Sequence, residues 1–397
     1  MPAGNYRIGT HLRIPAHVSL VGVFRSAPNR IWDSVPAPNP TPTNPPLVAG
    51  STLWAYEGAG SQVGTPFVTL AGDNATVDGL AFYYPDQVAS DPPIAYPFTI
   101  GVDPHQGGAF KFNENVTVQN VLLWNSFNGI DLASAPSIRH SVRDVLGFPL
   151  HVGIVIDKCY DVGKLSNIHF NTVWSTSAAL VGYVQKHGTA FVFHRTDGEL
   201  VDRLFSHGYN VGIRLSKAPA PDPFDNNSHI PPSVAFANVN IEEANIGIDV
   251  RDTGAQGILF SNFMFDSNSG DTHAVLGVLS RPGFYGNLTL TGASFWGKVT
   301  QAVRWEGSGN ILINGARFQM VNNNTIGRYA IGVLGGQATV QNSIFLPQTC
   351  TAPPCNGPWR GVFAANTASA VIVTGNLLNG FTNQLSAPQV VSANNLP

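Results

Sequence analysis

Two acidic residues, Glu242 and Asp266, occupy corresponding positions in two neighbouring segments that alternate apolar and polar side chains. On adjacent strands of one sheet they would lie about 4.8 Å apart. Retaining glycosidases act with a carboxyl pair at about 5 to 5.5 Å, one group as acid and the other as nucleophile. Trp296 takes the equivalent position one segment later, where an exposed ring can carry a sugar. This set predicts chemistry on a glycosidic bond.

Charged and polar residues also recur on a second row of alternating segments, each of which follows a turn. Alternation directs these side chains outward, in a chain with only 21 Lys and Arg and 24 Asp and Glu residues. We predict that acids supply the general acid and base, and that their neighbours bind the sugar. The predicted catalytic residues are Asp157, Asp197, Asp249 and Glu242, with Asp266 as a secondary candidate acid. The predicted substrate-binding residues are Asp131, His194, Arg214, Arg251, Trp124 and Trp296.

Asp157 and Asp249 are three repeats apart, about 14 Å, which is farther than the roughly 6.5 to 9.5 Å of an inverting pair. Each is therefore expected to work with a closer acid, Asp197 for Asp157 and Glu242 for Asp249. A plainer interpretation stays open, because outward Asp and Arg residues commonly form a solvated face with weak ion pairs. Glu242 and Asp266 could equally be hydrated acids at a turn.

The sequence predicts no metal site and no cofactor. No cysteine and histidine residues have the spacing of a zinc motif, and no motif supports a calcium ion. Cys350 and Cys355 flank a short turn-rich loop in which a disulfide is sterically allowed, and their pairing stays open. Cys159 stands alone in an apolar strand.

The elements that must position these residues are short alternating strands separated by Gly and Asn turns. One unit runs over residues 118–132 and returns over 142–157 and 237–251, with a Gly at the start of its second strand. Such repeats, with almost no helical periodicity, indicate an all-β fold, a parallel β-solenoid of about ten coils. We predict a single domain over residues 1–397. The side chains expected to point inward include Val121, Ile130, Ile154, Ile213 and Ile248.

Three Pro-rich stretches are expected to leave the coils as loop excursions, over residues 85–99, 217–233 and 346–360. The stretch 217–233 starts directly after the segment that contains Arg214. We therefore expect it to wall a groove along the second row.

Composition excludes several classes of partner. The 397 residues include 41 Gly and 29 Pro, and 11% are charged, which is typical of neither a disordered chain nor a coiled coil. A net charge of −3 provides no footprint for nucleic acid, and no apolar run is long enough to span a bilayer. We predict neither nucleic acid nor membrane as a partner. The start of the chain has no secretory signal, and a trimmed protein that is secreted or periplasmic is expected.

The opening segment has Pro-Ala-Gly-Asn-Tyr-Arg-Ile at 2–8 and Leu-Arg-Ile-Pro at 12–15. It resembles the first coil of the pectate-lyase-like superfamily of right-handed parallel β-helices. The resemblance implies a right-handed parallel β-helix, a fold shared by polysaccharide lyases, glycoside hydrolases, epimerases and phage tailspikes. It implies a polysaccharide or oligosaccharide partner and assigns no specific family. The N-terminal cap usual in these folds is expected to be missing, which leaves an oligomer through the first coil open.

Three functions are compatible with these residues. A glycoside hydrolase, acting by carboxylate acid and base chemistry in a groove outside the β-helix, agrees best with the acid pairs. A polysaccharide lyase would use Arg214 or His194 to take the proton beside a uronate carboxylate that Arg251 neutralises. In a non-catalytic carbohydrate-binding solenoid, the aromatic platforms would matter and the acids would not. The sequence favours the hydrolase.

Overall fold

The computed structural model of the protein describes residues 1–24, 50–103, 112–175, 177–220, 230–269, 273–320, 329–347 and 360–397. Among the described residues, strands account for 54% and helices for 4%. The strands run parallel and in register, as in a right-handed parallel β-helix, so the predicted fold class is confirmed. Among the described helices, none combines the length and the apolar character that a bilayer crossing demands.

The chain divides into two compact units. The first comprises Met1–Asn210 and Ala218–Ile230, and the second comprises Val211–Lys217 and Pro231–Pro397. Each unit contains two long parallel sheets, termed its first sheet and its second sheet, and successive coils contribute strands to both. The single domain over 1–397 stays a prediction.

The first unit contains these strands. Its first sheet is formed by Gly4–Ile8, Ser19–Val21, Ser51–Ala55, Thr76–Tyr83, Thr117–Trp124, Ser141–Gly147, Lys164–Asn171 and Asp197–His207. Its second sheet is formed by Leu12–Pro15, Val68–Ala71, Phe98–Val102, Asn128–Leu132, Val152–Ile156 and Thr189–Phe193. A small two-stranded sheet pairs Asn113–Glu114 with Ser137–Ile138.

The second unit repeats the arrangement of two sheets. Its first sheet is formed by Ser233–Glu242, Ile258–Ser267, Asn287–Thr291, Ser294–Gly297, Asn310–Asn314, Arg317–Met320, Gln337–Gln341, Ile344–Phe345, Ala370–Thr374 and Gln389–Ala393. Its second sheet is formed by Val211–Leu215, Ile246–Val250, Leu276–Ser280, Gln301–Trp305, Ile331–Val333, Arg360–Ala364 and Thr382–Leu385.

Helical structure among the described residues is short. The α-helix Ala178–His187 begins at Ser177, whose hydroxyl accepts the backbone N–H of Leu180 at 3.3 Å and so caps the first turn. A one-turn 3₁₀-helix, Thr172–Trp174, precedes it. Both lie in the first unit, between a strand of its first sheet and a strand of its second sheet.

One residue within each long strand of the first sheet adopts a left-handed backbone conformation. Asn238 has a φ of 54° and Asn262 a φ of 57°, and Asn262 Nδ2 donates to Asn238 Oδ1 at 3.1 Å. Asn tolerates positive φ better than most residues with a side chain. The equivalent residues of the first unit include Asn120, Asp144, Asn167 and Arg203. Asn120, Asp144 and Asn238 lie near the start of the repeat units 118–132, 142–157 and 237–251, so each of these units contains a bend at which the coil turns.

Inward positions of both sheets form the cores. The side chains predicted to point inward are all at most 1% exposed, namely Val121, Ile130, Ile154, Ile213 and Ile248. Side chains alternate with a period of two, so a slip of one residue would expose every apolar side chain, and this fixes the register. The second sheets have six and seven described strands, so these parts of the chain hold a few more coils than the ten expected.

The three predicted excursions differ in how far the structure describes them. Residues 85–99 connect two strands, and Gln87 holds the loop by donating from Nε2 to the carbonyl of Ile94 and accepting its N–H, both at 2.8 Å. The other two excursions lie mostly outside the described residues, as do Cys350 and Cys355. The groove wall and the disulfide therefore stay predictions.

Candidate active site

Glu242 and Asp266 lie near the ends of two neighbouring strands in the first sheet of the second unit. The strand Ser233–Glu242 pairs in parallel with Ile258–Ser267, and the register places Glu242 directly opposite Asp266. Opposed side chains on neighbouring parallel strands point to the same face, about 4.8 Å apart. The two carboxyl groups are therefore neighbours.

Asp266 is the carboxyl group of the pair whose pKa is raised. The residue is 6% exposed, and burial is the main cause that raises its pKa to about 7, followed by the negative charges of Glu242 and Glu243. Glu242 is half-buried and accepts a hydrogen bond from Asn240 Nδ2 at 2.8 Å. The pair thus combines an acid that is protonated near neutral pH with a carboxyl group oriented as an acceptor. Acid–base catalysis needs this division of roles.

Glu243 fixes the turn that follows Glu242. It has a φ of 52°, and its carboxylate accepts the backbone N–H of Asn268 at 2.8 Å and Asn268 Nδ2 at 2.9 Å. The hydroxyl groups of Ser267 and Ser269 also donate to it, at 3.2 Å and 2.9 Å. Because hydrogen bonds of the turn occupy its oxygens, Glu243 contributes charge to the site and not chemistry.

The row continues from the two acids to an exposed aromatic ring. Trp296 lies opposite Asp266 in the register of the next strand and is 45% exposed. Gln319 lies opposite Trp296 one strand further and accepts a hydrogen bond from Arg317 Nη2 at 2.5 Å. Glu242, Asp266, Trp296 and Gln319 are termed the acid row. An indole beside two carboxyl groups offers an apolar face with polar groups at its edge, which suits a sugar ring.

The second sheet of the same unit holds an aspartate in opposite surroundings. Asp249 accepts hydrogen bonds from Arg281 Nε at 2.9 Å and Arg251 Nε at 3.0 Å, and Arg214 Nε lies 3.4 Å from it. Its side chain is fully buried. Burial is the largest influence on its pKa and would raise it, but the hydrogen bonds and charges of Arg281 and Arg251 outweigh burial, and the net pKa is lowered. Asp249 is therefore held as a carboxylate, and its catalytic role stays a prediction.

Two of these arginines also border an open cleft of about 510 Å³. We term it the arginine cleft, and it is lined by Lys217, Arg251, Asp252, Arg281, Pro282 and Gly283. Lys217 Nζ lies 3.5 Å from Asp252 Oδ1. Cations outnumber the aspartates here, so the cleft is electropositive and suits an anion such as a carboxylate.

In the first unit, Asp131 and Asp157 bind backbone groups. Alternation predicts outward side chains free to meet a ligand, but the two residues are 4% and 2% exposed. Asp131 Oδ1 accepts the N–H of Ala133 at 2.7 Å, and Asp157 Oδ1 accepts those of Lys158 at 2.8 Å and Arg195 at 3.1 Å. Burial raises the pKa of the Asp131 carboxyl. Asp131 fixes a local turn, Asp157 also binds the backbone of a later coil, and both side chains are buried.

The other predicted site residues of the first unit differ in exposure and in contacts. Asp197 is exposed, and its Oδ2 lies 3.2 Å from Arg195 Nη2, so Arg195 bridges the predicted pair of Asp157 and Asp197. Burial is the main cause that raises the pKa of Asp157, and His194, which is half-buried, opposes it. Trp124 is half-buried against an apolar cluster, so its ring is less open than that of Trp296.

Charged residues of the arginine cleft that were not predicted from the sequence are Arg281, Lys217 and Asp252. Val250 and Ser280 are in register, so Arg251 and Arg281 follow equivalent positions of neighbouring strands. A signal exists in the sequence, because Ile-Gly-Ile-Asp-Val-Arg at 246–251 aligns with Leu-Gly-Val-Leu-Ser-Arg at 276–281. Asp249 contacts arginines and Glu242 faces Asp266, and the pairing of Asp249 with Glu242 stays a prediction.

No protein-family model matches the chain, and none of the curated proteins does. Solved structures of similar fold include a cysteine-to-alanine mutant of DFA-IIIase from Arthrobacter chlorophenolicus A6 in complex with DFA-III. It shares 10% identity with a TM-score of 0.57, over 98% of this chain and 88% of that chain. The A-module of the mannuronan C-5 epimerase AlgE6 from Azotobacter vinelandii shares 11% identity with a TM-score of 0.50, over 100% of this chain and 89% of that chain. At these identities the similarity shows a shared fold.

Proposed function

We propose that the chain is a carbohydrate-active enzyme, and specifically a glycoside hydrolase in which Asp266 is the acid and Glu242 the nucleophile or base. The observation that carries the proposal is the in-register pair of these carboxyl groups beside the exposed ring of Trp296. The fold supports it, because the solved structures that share it are carbohydrate-active enzymes. A polysaccharide substrate is met outside the cell, so secretion belongs to the same proposal.

Hydrolysis would begin with a sugar ring stacked on Trp296 and the glycosidic oxygen near Asp266. The Asp266 proton moves to that oxygen as the bond from the oxygen to the anomeric carbon breaks, so the leaving group departs as an alcohol. The strand spacing of about 4.8 Å is closer to a retaining pair than to an inverting one, which favours Glu242 bonding to the anomeric carbon. Water then displaces Glu242 and gives its proton to Asp266, which restores both groups.

The experiment is an assay of the purified protein against an array of polysaccharides, with a no-enzyme control. Reducing ends and the absorbance of unsaturated products are both recorded. We expect new reducing ends without unsaturated products, and a loss of about 10²- to 10⁴-fold in Asp266→Asn. Asp202→Asn, which changes a half-buried acid in the first unit, serves as the matched control and is expected to retain activity. Cleavage at the wild-type rate by a Glu242→Gln and Asp266→Asn double variant would overturn the assignment.

A polysaccharide lyase is the second candidate, favoured by the arginine cleft. Arg251 and Arg281 line the cleft and could neutralise a uronate carboxylate, which makes the neighbouring proton easier to remove. This reaction would give unsaturated products, and Arg251→Ala would abolish them while Asp266→Asn would not. A glycan that binds but is never cleaved would support the non-catalytic solenoid instead.

A further inference from the structure

Three side chains of the first unit that carry metal-ligating atoms meet in its interior. His140, Cys159 and Glu199 are 1%, 0% and 0% exposed. One ligand atom from each residue lies within 4.8 Å of the other two, and His140 Nε2 is 2.9 Å from Glu199 Oε1. The proposed hydrolysis uses none of them, because the acid row belongs to the second unit. We propose that these residues form a buried site for a thiophilic divalent metal ion of the zinc class.

The donor set is the first reason. Imidazole nitrogen, thiolate sulfur and carboxylate oxygen are the protein ligands of zinc, with bonds of about 2.0 to 2.3 Å. Ligand atoms around one tetrahedral ion are then about 3.3 to 3.6 Å apart, so a group already within 4.8 Å needs only small movements. A divalent ion bound by one thiolate, one carboxylate and a neutral imidazole leaves no net charge, which suits a buried site.

The second reason is a buried carboxylate oxygen that lacks a hydrogen-bond partner among the described residues. Glu199 Oε2 is buried and has no hydrogen-bond partner in the part of the chain that the structure describes. A buried carboxylate oxygen without a partner is costly, and such atoms in native proteins call for an explanation. A metal ion would supply the missing partner.

The backbone of Gly163 packs directly against the same atoms. A Cβ added at Gly163 would lie 2.4 Å from His140 Nε2 and 2.5 Å from Glu199 Oε2. Any side chain at this position would therefore collide with two of the proposed ligand atoms.

Groups around the cluster orient its ligands. His140 Nδ1 lies 3.0 Å from the hydroxyl of Ser137 and 3.4 Å from its carbonyl oxygen, which directs Nε2 towards the cluster. Metal-binding histidines commonly use their second ring nitrogen in this way. Cys159 Sγ donates a hydrogen bond to the carbonyl oxygen of Asp161 at 2.7 Å, and a bound metal ion would take the place of that thiol proton.

Metal content of the whole chain tests the proposal without any sugar substrate. Protein prepared without a metal-affinity tag is treated with chelator, incubated with Zn²⁺, desalted and analysed for metal. We expect about one zinc ion per chain and a rise in melting temperature, because a ligand that binds only the folded state stabilises it. Co²⁺ in place of Zn²⁺ is expected to give a thiolate-to-metal charge-transfer band. Wild-type protein that holds less than about a tenth of an ion per chain overturns the proposal.

Variants separate this site from adventitious binding. Cys159→Ala is expected to lose the charge-transfer band, and Glu199→Gln to lose at least tenfold in zinc affinity. The matched control is Glu57→Gln, because His11 Nε2 and Glu57 Oε1 make the same 2.9 Å contact on a more exposed surface. Unchanged metal binding in folded Cys159→Ala contradicts the proposal. If that variant does not fold, the wild-type metal content decides. These results do not depend on glycan cleavage, so either proposal can fail alone.

Discussion

The acid row and the group formed by Asp249 with its three arginines each place one aspartate among charged neighbours, and the neighbours have opposite signs. Asp266 faces Glu242 and Glu243, and its pKa is raised to about 7. Asp249 faces three arginines, and its pKa is lowered although its side chain is fully buried. Burial opposes ionisation of both groups, so the charge of the neighbours decides between them. Asp266 is therefore suited to donate a proton, and Asp249 is suited to hold arginines in place.

Turnover is expected to show the largest difference between Asp266 and Asp249. Asp266→Asn is expected to lower kcat on a cleaved glycan by about 10²- to 10⁴-fold, because the leaving oxygen loses its proton donor. Asp249→Asn, assayed at a temperature at which circular dichroism shows it folded, is expected to lose less. A greater loss in Asp249→Asn than in Asp266→Asn would exchange the two roles.

The free energy of unfolding should show the reverse order, with the greater loss in Asp249→Asn. Asp249→Asn leaves three guanidinium groups without their shared anion, and we expect the free energy of unfolding to fall by about 2 to 4 kcal/mol. The arginines are 28 to 43% exposed, which places the effect below that of a fully buried pair. Urea unfolding at neutral pH measures it. A change within about 0.5 kcal/mol, the range of ordinary surface substitutions, would mean that the cluster does not stabilise the unit.

The pH dependence of stability sharpens the contrast. The folded-state pKa of Asp266 is raised from 3.8 to about 7, so its stabilising contribution is complete below 3.8 and is lost as the pH rises to about 7. The folded-state pKa of Asp249 is lowered, so its contribution is present above 3.8 and is lost as the pH falls below that value. Asp266→Asn should therefore remove a fall in stability between pH 4 and 7, as measured by urea unfolding across that range. An identical pH profile in the variant would contradict the raised pKa.

The smallest effect concerns the sugar platform. Trp296→Ala is expected to raise KM about 3- to 10-fold with little change in kcat, because stacking on an aromatic ring contributes roughly 0.5 to 1.5 kcal/mol. Met264→Ala is the matched control, since Met264 is 47% exposed in the neighbouring row of the same sheet. Equal effects of the two substitutions on KM would contradict the role of Trp296 as a surface on which the sugar stacks.

The fold was predictable because its signals are local. Period-two alternation and residues such as Asn238 and Asn262 at the bends fix strand length and side-chain direction within a few residues. The opposition of Glu242 and Asp266 follows from the same periodicity. The surroundings of Asp249 were not predicted, because Arg281 comes from a later coil and only the alignment of 246–251 with 276–281 indicates the register that brings it near.

The burial of outward-pointing side chains could not be predicted from the sequence either. Alternation gives the direction of the Asp131 and Asp157 side chains but not whether other segments cover them. The cluster of His140, Cys159 and Glu199 was missed because its members are spread over several coils and match no short motif. In each case the missing information is a contact between coils that is set by packing and not by spacing along the chain.

Carboxyl titration by carbon-13 NMR tests the central claim most directly, namely that Asp266 keeps its proton near neutral pH. Resonances of wild-type protein labelled at aspartate carboxyl carbons are followed from pH 3 to 9, and Asp266→Asn identifies the signal by its absence. We predict a pKa of about 7 for Asp266, and a lower pKa in Glu242→Gln, in which the facing negative charge is gone. A pKa near 4, unchanged in Glu242→Gln, would contradict the account.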